Sequence, residues 1–469
     1  MFIVNKRRHS RGDFERRKRE LAESIPRFDR EGKLIALCLT EPLDILAALE
    51  TTIDGGGSAL LLNGDTPAEE ARRKAEAAGC AGIFHAGGGP TAYAGLRPSA
   101  PSTPAEPSLL QYSSGTTGEP KLIERPWSDV VAEIEAYNRA YPGDSGESGE
   151  SGGSNGSRES GNPVRSVRSD DSGDSRNFRN SHESRNSRES REFRESDGCS
   201  ETPIILVPVS HSFGLIAGAL AALRRGAEPI LVTDRNPRFA VGLIERTPRH
   251  VVYAVPFLLH VVASLMRDRI SLRKVVSSGS PLPRELMRRL ADSGVRIVQQ
   301  YGCTEAGCIA IGDNPSSPSD VGRTLDSFRV ESAGTPDAPA EVTVTATATG
   351  SLVRTGDLGY VSDEGRLHVL GRIDDLINVS GLKVIPSEVE DVILRLEGVR
   401  EAVVHRTNHP VWGEAVKARI VPGRADLTAA EVKEWCLRRL PAYKVPSAIE
   451  FAGEIPRTAN GKLIRKRLD

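Results

Sequence analysis

The run Tyr112-Ser-Ser-Gly-Thr-Thr-Gly-Glu-Pro-Lys121 places six small hydroxyl and glycine residues, Ser113, Ser114, Gly115, Thr116, Thr117 and Gly118, ahead of a proline and a lysine. Side chains this small let backbone N–H groups come close to a polyphosphate, and Lys121 adds a positive charge. No Gly-Lys-Ser/Thr closes the run, so it is not a Walker A loop. A flexible linker is the competing reading, but a linker has no reason to order these residues ahead of Pro-Lys.

Three further constellations carry chemistry. Gln300-Tyr-Gly-Cys-Thr-Glu305 ends an apolar run; a carboxylate there suits Mg²⁺ and Tyr301 suits a nucleobase, although a surface acid reads equally well. Arg354-Thr-Gly-Asp357 and Gly371-Arg-Ile-Asp-Asp375 offer an aspartate for the two vicinal hydroxyls of a ribose and a guanidinium for a phosphate or sugar. A Thr-Gly-Asp turn alone is common. Pro456-Arg-Thr-Ala-Asn-Gly-Lys462 presents a lysine on a glycine turn, either a mobile electrostatic catalyst or a solvated charge. Cys303 and Cys308 lack two further ligands for a zinc site and read as packing.

These segments need a scaffold, and its signals alternate. Ser10 to Ile25 reads as a capped helix, Leu34 to Thr40 as a buried strand, Leu43 to Ile53 as a helix ending at Gly55, Ala59 to Leu62 as a strand, and Pro67 to Ala78 as a helix. A helix is expected from near Pro126. Strands follow at Ile204 to Val209, Ile230 to Thr233, Val275-Val276 and Val295 to Val298, with a helix at Leu215 to Leu223. Glu341 to Thr347 alternates as a half-exposed strand does. The tail adds strands at Leu376 to Val379 and Ala402 to His405 and helices at Ser387 to Leu396 and Thr428 to Arg439. The expectation is an α/β chain: a large N-terminal domain of layered sheets and helices over residues 1–373, and a small α+β domain over 374–469.

Residues 143–200 break this pattern. Ser, Gly, Arg, Glu, Asp and Asn make up nearly all of them, with twelve acids and nine arginines. So little apolar surface predicts a disordered insertion. Interleaved acids argue against an RNA-binding tail. The whole chain of 469 residues has 62 basic and 63 acidic side chains, which excludes one large basic surface for nucleic acid or anionic lipid. The basic N-terminus has no apolar segment of a secretory signal, and no apolar run approaches the roughly 20 residues needed to span a bilayer. Six cysteines without a paired framework predict reduced thiols and a cytoplasmic address.

In their order, YSSGTTGEPK, VPVSHSFG, SSGSPLP, YGCTE, RTGDLGY, GRIDDLINVSGLKVIPSEVE, LPAYKVP and PRTANGKLIRKRL resemble the adenylate-forming superfamily of acyl-CoA synthetases, aryl-acid AMP ligases and nonribosomal peptide adenylation domains. The resemblance implies two half-reactions that use ATP and Mg²⁺. A carboxylate attacks the α-phosphate and releases pyrophosphate; a phosphopantetheine thiol, on CoA or an acyl carrier protein, then displaces AMP. It implies that Ser113 to Gly118 and Lys121 cradle the phosphates, that Glu305 holds Mg²⁺ with Thr304 near the α-phosphate, and that Gly279, Ser280, Pro281 and Tyr301 bound the adenine. Asp357 would take the ribose with Arg372 beside it. Lys462 would bridge the carboxylate and the α-phosphate. Asp374 matches the hinge of a mobile C-terminal domain, Gly381 and Lys383 the thiol-transfer loop, and His211 a gate of the acid pocket.

The sequence departs from the family at Leu122, where glycine is usual, and in a compressed stretch from Gly312 to Arg354. The acid pocket is expected along His211 to Leu215, Val255 to Leu259, Ser278 to Ser280 and Gly302 to Ile309. Bulky Phe213 and Phe257 favour a small or aromatic acid. Without its insertion the chain is short, as in the aryl-acid ligases of catecholate siderophore pathways, including 3,4-dihydroxybenzoate ligases of the petrobactin type. A CoA ligase for an aromatic or medium-chain acid is the alternative, and a non-catalytic nucleotide-binding relative is a distant one.

Overall fold

In the strand Leu34–Leu39 every side chain is buried, as in a parallel strand covered on both faces. The computed structural model bears this out: Ile35, Leu37 and Leu39 enter one core while Leu34, Ala36 and Cys38 enter another on the opposite face. It describes residues 1–26, 32–86, 89–98, 100–113, 121–143, 201–267, 269–410, 412–457, 463, 465 and 468. The expected disordered stretch (from residue 144), Ser114 to Gly118 and Lys462 lie outside the described residues.

A six-stranded sheet takes the order Ala92–Gly95, Gly82–His85, Leu34–Leu39, Ser58–Asn63, Ser108–Tyr112, Leu122–Pro126. The inner four strands are parallel and each edge strand is antiparallel. Helices Pro42–Asp54 and Ala68–Ala77 make the crossovers. Helix Arg11–Ser24 starts in a capping box: Ser10 Oγ accepts from the Asp13 N–H, and the Asp13 carboxylate accepts from the Ser10 N–H.

A thirteen-stranded sheet changes character midway. Thr202–Ile205, His250–Ala254, Lys274–Ser278 and Arg296–Cys303 run parallel. Then Gly307–Asp313, Asp320–Thr324, Leu367–Arg372, Leu352–Val361, Pro339–Ala346 and Phe328–Gly334 add antiparallel. In Pro339–Ala346 the buried Val342 and Val344 alternate with half-exposed threonines, the period-2 pattern expected. The C-terminal part has its own sheet, built around the hairpin Val399–His409 and Gly413–Pro422, and its own core under helices Pro386–Ile393 and Ala429–Leu437.

The helix expected from near Pro126 is found as Trp127–Ala140, after Leu122–Pro126 has paired with Ser108–Tyr112 as a hairpin. Three expectations need correction. Ile204 to Val209 ends as a strand at Ile205, and Ile230 to Thr233 at Leu231. Leu215 to Leu223 belongs to a helix that opens as a π-helix over Phe213–Leu220.

The residues on either side of 143–200 are clasped together. Glu201, 4% exposed, accepts from Tyr141 Oη at 2.8 Å, from Arg273 Nη2 at 2.8 Å and from the fully buried Lys274 Nζ at 3.1 Å. Lys274 also donates to the Pro142 carbonyl and lies over the Tyr141 ring. Burial, then the neighbouring tyrosine and carboxylate, push the Tyr141 phenol well up, so it stays a neutral donor. Tyr141→Phe keeps the ring and removes one hydrogen bond to a charge, an expected loss of about 1–2 kcal/mol of stability in denaturant unfolding. A change below about 0.5 kcal/mol would mean that Arg273 and Lys274 alone hold Glu201.

Candidate active site

Asp357 sits on Leu352–Val361 directly opposite Arg372 on Leu367–Arg372, so the antiparallel register itself makes the pair. Arg372 Nη1 lies 3.2 Å from Asp357 Oδ1 and 2.8 Å from the Thr355 carbonyl. Thr355 Oγ1 donates to the Val342 carbonyl and accepts from the Asp357 N–H, which sets the turn. Gly356 has φ +68°, a left-handed conformation that strains any residue with a Cβ, and that Cβ would stand 2.9 Å from Arg372 Nη2.

Tyr301, near the end of Arg296–Cys303, donates its hydroxyl to Asp357 Oδ2 at 2.6 Å. Burial, reinforced by that carboxylate, raises the Tyr301 phenol well above its usual range and keeps it a donor. Asp357 is 7% exposed and presents a charge held in one orientation. The sequence reading placed Tyr301 against a base; the structure adds that its hydroxyl orients the Asp357 carboxylate.

Lys121 and Ser113 close the base of the loop that joins Ser108–Tyr112 to Leu122–Pro126: the Ser113 N–H donates to the Lys121 carbonyl at 2.8 Å and the Lys121 N–H to Ser113 Oγ at 3.1 Å. Thr304 and Glu305 lie in the turn between Cys303 and Gly307, the pair that ends the ladder of two antiparallel strands. Burial, with Glu305 adding to it, pushes the Cys303 thiol up to about 12, so it stays protonated.

A cavity of about 360 Å³ gathers Ser113, Lys121, Gly279, Ser280, Pro281, Tyr301, Thr304, Glu305, Asp357 and Arg372. Leu463 and Arg465, which follow Lys462 in the sequence, also line it. Arg465 is anchored by Asp375 at 3.3 Å, by Glu390, and by the Val404 carbonyl at 2.8 Å. Sequence reasoning missed Asp375, Arg465 and Gln300 in this lining; Asp375 and Arg465 fall inside two of the quoted motifs, so the signal was present.

The contents fit a nucleotide with its metal. A buried aspartate with a guanidinium suits a ribose, a lysine with a serine suits phosphates, and the exposed Glu305 carboxylate supplies a hard oxygen ligand for Mg²⁺.

Other expected residues stand elsewhere. His211 is outside this lining; its N–H donates to the Pro208 carbonyl and its carbonyl accepts from Leu215. Leu215, Leu259 and Ile309, offered for the acid pocket, are fully buried in cores. Phe257 lines an adjoining cavity of about 770 Å³, where the guanidinium of Arg457 lies 4.2 Å above its ring. Gly381 and Lys383 are exposed on the hairpin Ile377–Val379 and Leu382–Val384, also outside the lining. Asp374 lies in the short turn Ile373–Asp375, its carbonyl held by Arg406. Cys308 packs in the core, and no group of metal ligands occurs among the described residues. No helix among the described residues is long and apolar enough to cross a membrane.

Residues 176–371 match the family model described as AMP-binding enzyme, and residues 388–462 that of the AMP-binding enzyme C-terminal domain. The chain is 39% identical over 469 residues to a 3,4-dihydroxybenzoate–[aryl-carrier protein] ligase of Bacillus anthracis, covering 100% of this chain and 98% of that protein. It is 29% identical over 296 residues to a feruloyl-CoA synthase of an Amycolatopsis species, covering 56% of this chain and 60% of that one. Among solved structures, the o-succinylbenzoate CoA synthetase of Bacillus subtilis with its acyl-adenylate intermediate superposes with a TM-score of 0.74 at 21% identity, over 100% of this chain and 94% of the other.

Proposed function

The chain belongs to the AMP-binding enzymes that form adenylates, and on that premise we propose that it activates an aryl acid, with a dihydroxybenzoate as the first choice, and loads it onto an aryl carrier protein. The observation that carries the chemistry is the single cavity shared by Tyr301, Asp357 and Arg372 on one side and Ser113, Lys121, Thr304 and Glu305 on the other. Full-length likeness to a dihydroxybenzoate–carrier protein ligase supports the choice of acid and acceptor. Loading of this kind supplies a catecholate siderophore pathway, and the thiols Cys38, Cys80, Cys303, Cys308 and Cys436, none of them in a disulfide, suit a cytoplasmic enzyme.

In this reading Asp357 and Arg372 hold the ribose, Gly279, Ser280 and Pro281 bound the adenine, and Lys121 with Ser113 to Gly118 steadies the phosphates. Glu305 would hold Mg²⁺, whose charge would offset that of the phosphate oxygens. A carboxylate oxygen of the acid bonds to the α-phosphorus as the bond to the bridging pyrophosphate oxygen breaks. Lys462 offsets the negative charge that builds up there, with Thr304 at the same phosphate. His211 closes the acid pocket. Residues 374–469 then turn about Asp374 against 1–373 and bring Gly381 and Lys383 to the thiol, whose sulfur displaces AMP.

CoA as acceptor is the second reading, favoured by the likeness to feruloyl-CoA synthase. The deciding experiment is ATP–pyrophosphate exchange over benzoates, fatty acids and amino acids, followed by CoA or holo carrier protein as acceptor. Exchange is expected with dihydroxybenzoates and transfer with the carrier protein. Exchange with no acid at all would sink the enzyme reading; transfer to CoA alone would select the second. Deleting residues 145–198 is expected to leave exchange within about two-fold of the full chain, since lengthening a loop costs little.

A further inference from the structure

Two buried charges connect the two halves of the cavity. Arg125 lies on Leu122–Pro126, four residues beyond Lys121, and Glu133 lies on the helix Trp127–Ala140 that follows. They are 6% and 5% exposed and paired at 2.7 Å through Arg125 Nη2 and Glu133 Oε2. Glu133 spends its other oxygen outside the pair: Oε1 accepts the backbone N–H of Cys308 at 2.7 Å. That amide follows directly on Gly307, which closes the turn carrying Thr304 and Glu305, beside a register shift at Tyr301/Gly302.

The backbone of Gly307 lies flat against the pair. At its φ of +75° a Cβ would stand 2.2 Å from Glu133 Oε2 and 2.7 Å from Arg125 Nη1. Neither charge lines the cavity. A buried ion pair adds little net stability, because desolvation offsets its attraction. What it does here is tie the phosphate hairpin to the metal-carboxylate turn at one fixed spacing.

We propose that Arg125 and Glu133 are positioning residues that set the distance between Ser113–Lys121 and Thr304–Glu305 for a metal–triphosphate that must bridge both. The proposal rests on the function given above. Only a ligand that spans the two segments senses this spacing. AMP, held on the side of Asp357, Arg372 and Tyr301, does not.

The test is equilibrium binding by calorimetry of ATP with Mg²⁺ and, separately, of AMP, to the full chain, to Glu133→Gln and to Arg125→Met/Glu133→Gln. The first variant keeps an acceptor for the Cys308 N–H but removes the charge facing Arg125. The second leaves no buried charge uncompensated and guards the fold. In both, affinity for ATP with Mg²⁺ is expected to fall about ten-fold while that for AMP stays within about two-fold. Equal weakening of both ligands, or no change in either, would overturn the proposal. An unaltered chain that binds neither nucleotide would overturn the function on which it rests.

Discussion

Lys462→Ala is expected to lower ATP–pyrophosphate exchange by about 10² to 10³-fold, the usual cost of removing one preorganised charge from a developing anion. The reason lies in where its neighbours sit. Leu463 pairs with Arg457 across a β-bridge and lines the cavity that holds Lys121, Thr304 and Glu305. Arg465, two residues on, is pinned by Asp375 and Glu390, and Arg457 is held by Glu401 at 2.8 Å and by the Phe257 ring. The segment is thus fastened on both sides of the lysine. Thiol transfer from a supplied acyl-adenylate involves no attack on phosphorus and is expected to persist in this variant. Loss of both half-reactions would contradict a C-terminal part that serves each step in a different orientation, and retained exchange would remove Lys462 from the mechanism.

Asp357→Asn carries the second large effect. The native carboxylate is nearly buried and fixed by Tyr301 and Arg372, and in the proposed function it accepts from the two ribose hydroxyls. An amide of the same shape loses the charge-assisted bonds and leaves Arg372 without its counterion. Hydrogen bonds to charged groups contribute roughly 1.5–3 kcal/mol each, so kcat/KM for ATP is expected to fall roughly 100-fold, with a parallel loss of AMP affinity. Tyr301→Phe keeps the carboxylate and is expected to stay within about ten-fold of the native value. An Asp357→Asn enzyme within about three-fold of native would show that the ribose is held elsewhere.

The motifs announced themselves because their chemistry is local. Small residues before Pro-Lys, a Thr-Gly-Asp corner and a strand-end Thr-Glu need no distant partner to be recognised, and the parallel strands were legible from runs such as Leu34–Leu39 that are buried on both faces. Short edge elements were not. Leu122–Pro126 carries Glu124 and Arg125 and has no apolar alternation, and it is a strand because Ser108–Tyr112 offers it an edge. Leu215, Leu259 and Ile309, three of the residues expected along the acid pocket, lie near motif residues in sequence, but their apolar side chains are buried in the cores.

The chain's order of residues by itself determined the adenylate-forming chemistry, the alternating α/β framework and the segment 143–200 that lacks the apolar surface for a core. Tertiary structure alone decided which of those residues meet. Cross-strand register sets Asp357 against Arg372, on strands four and three places along the sheet from the one that supplies Tyr301. The buried Arg125–Glu133 pair reaches a backbone amide 175 residues along the chain from Glu133, a contact with no sequence signature, because it exists only where a helix, a hairpin and a turn converge away from water.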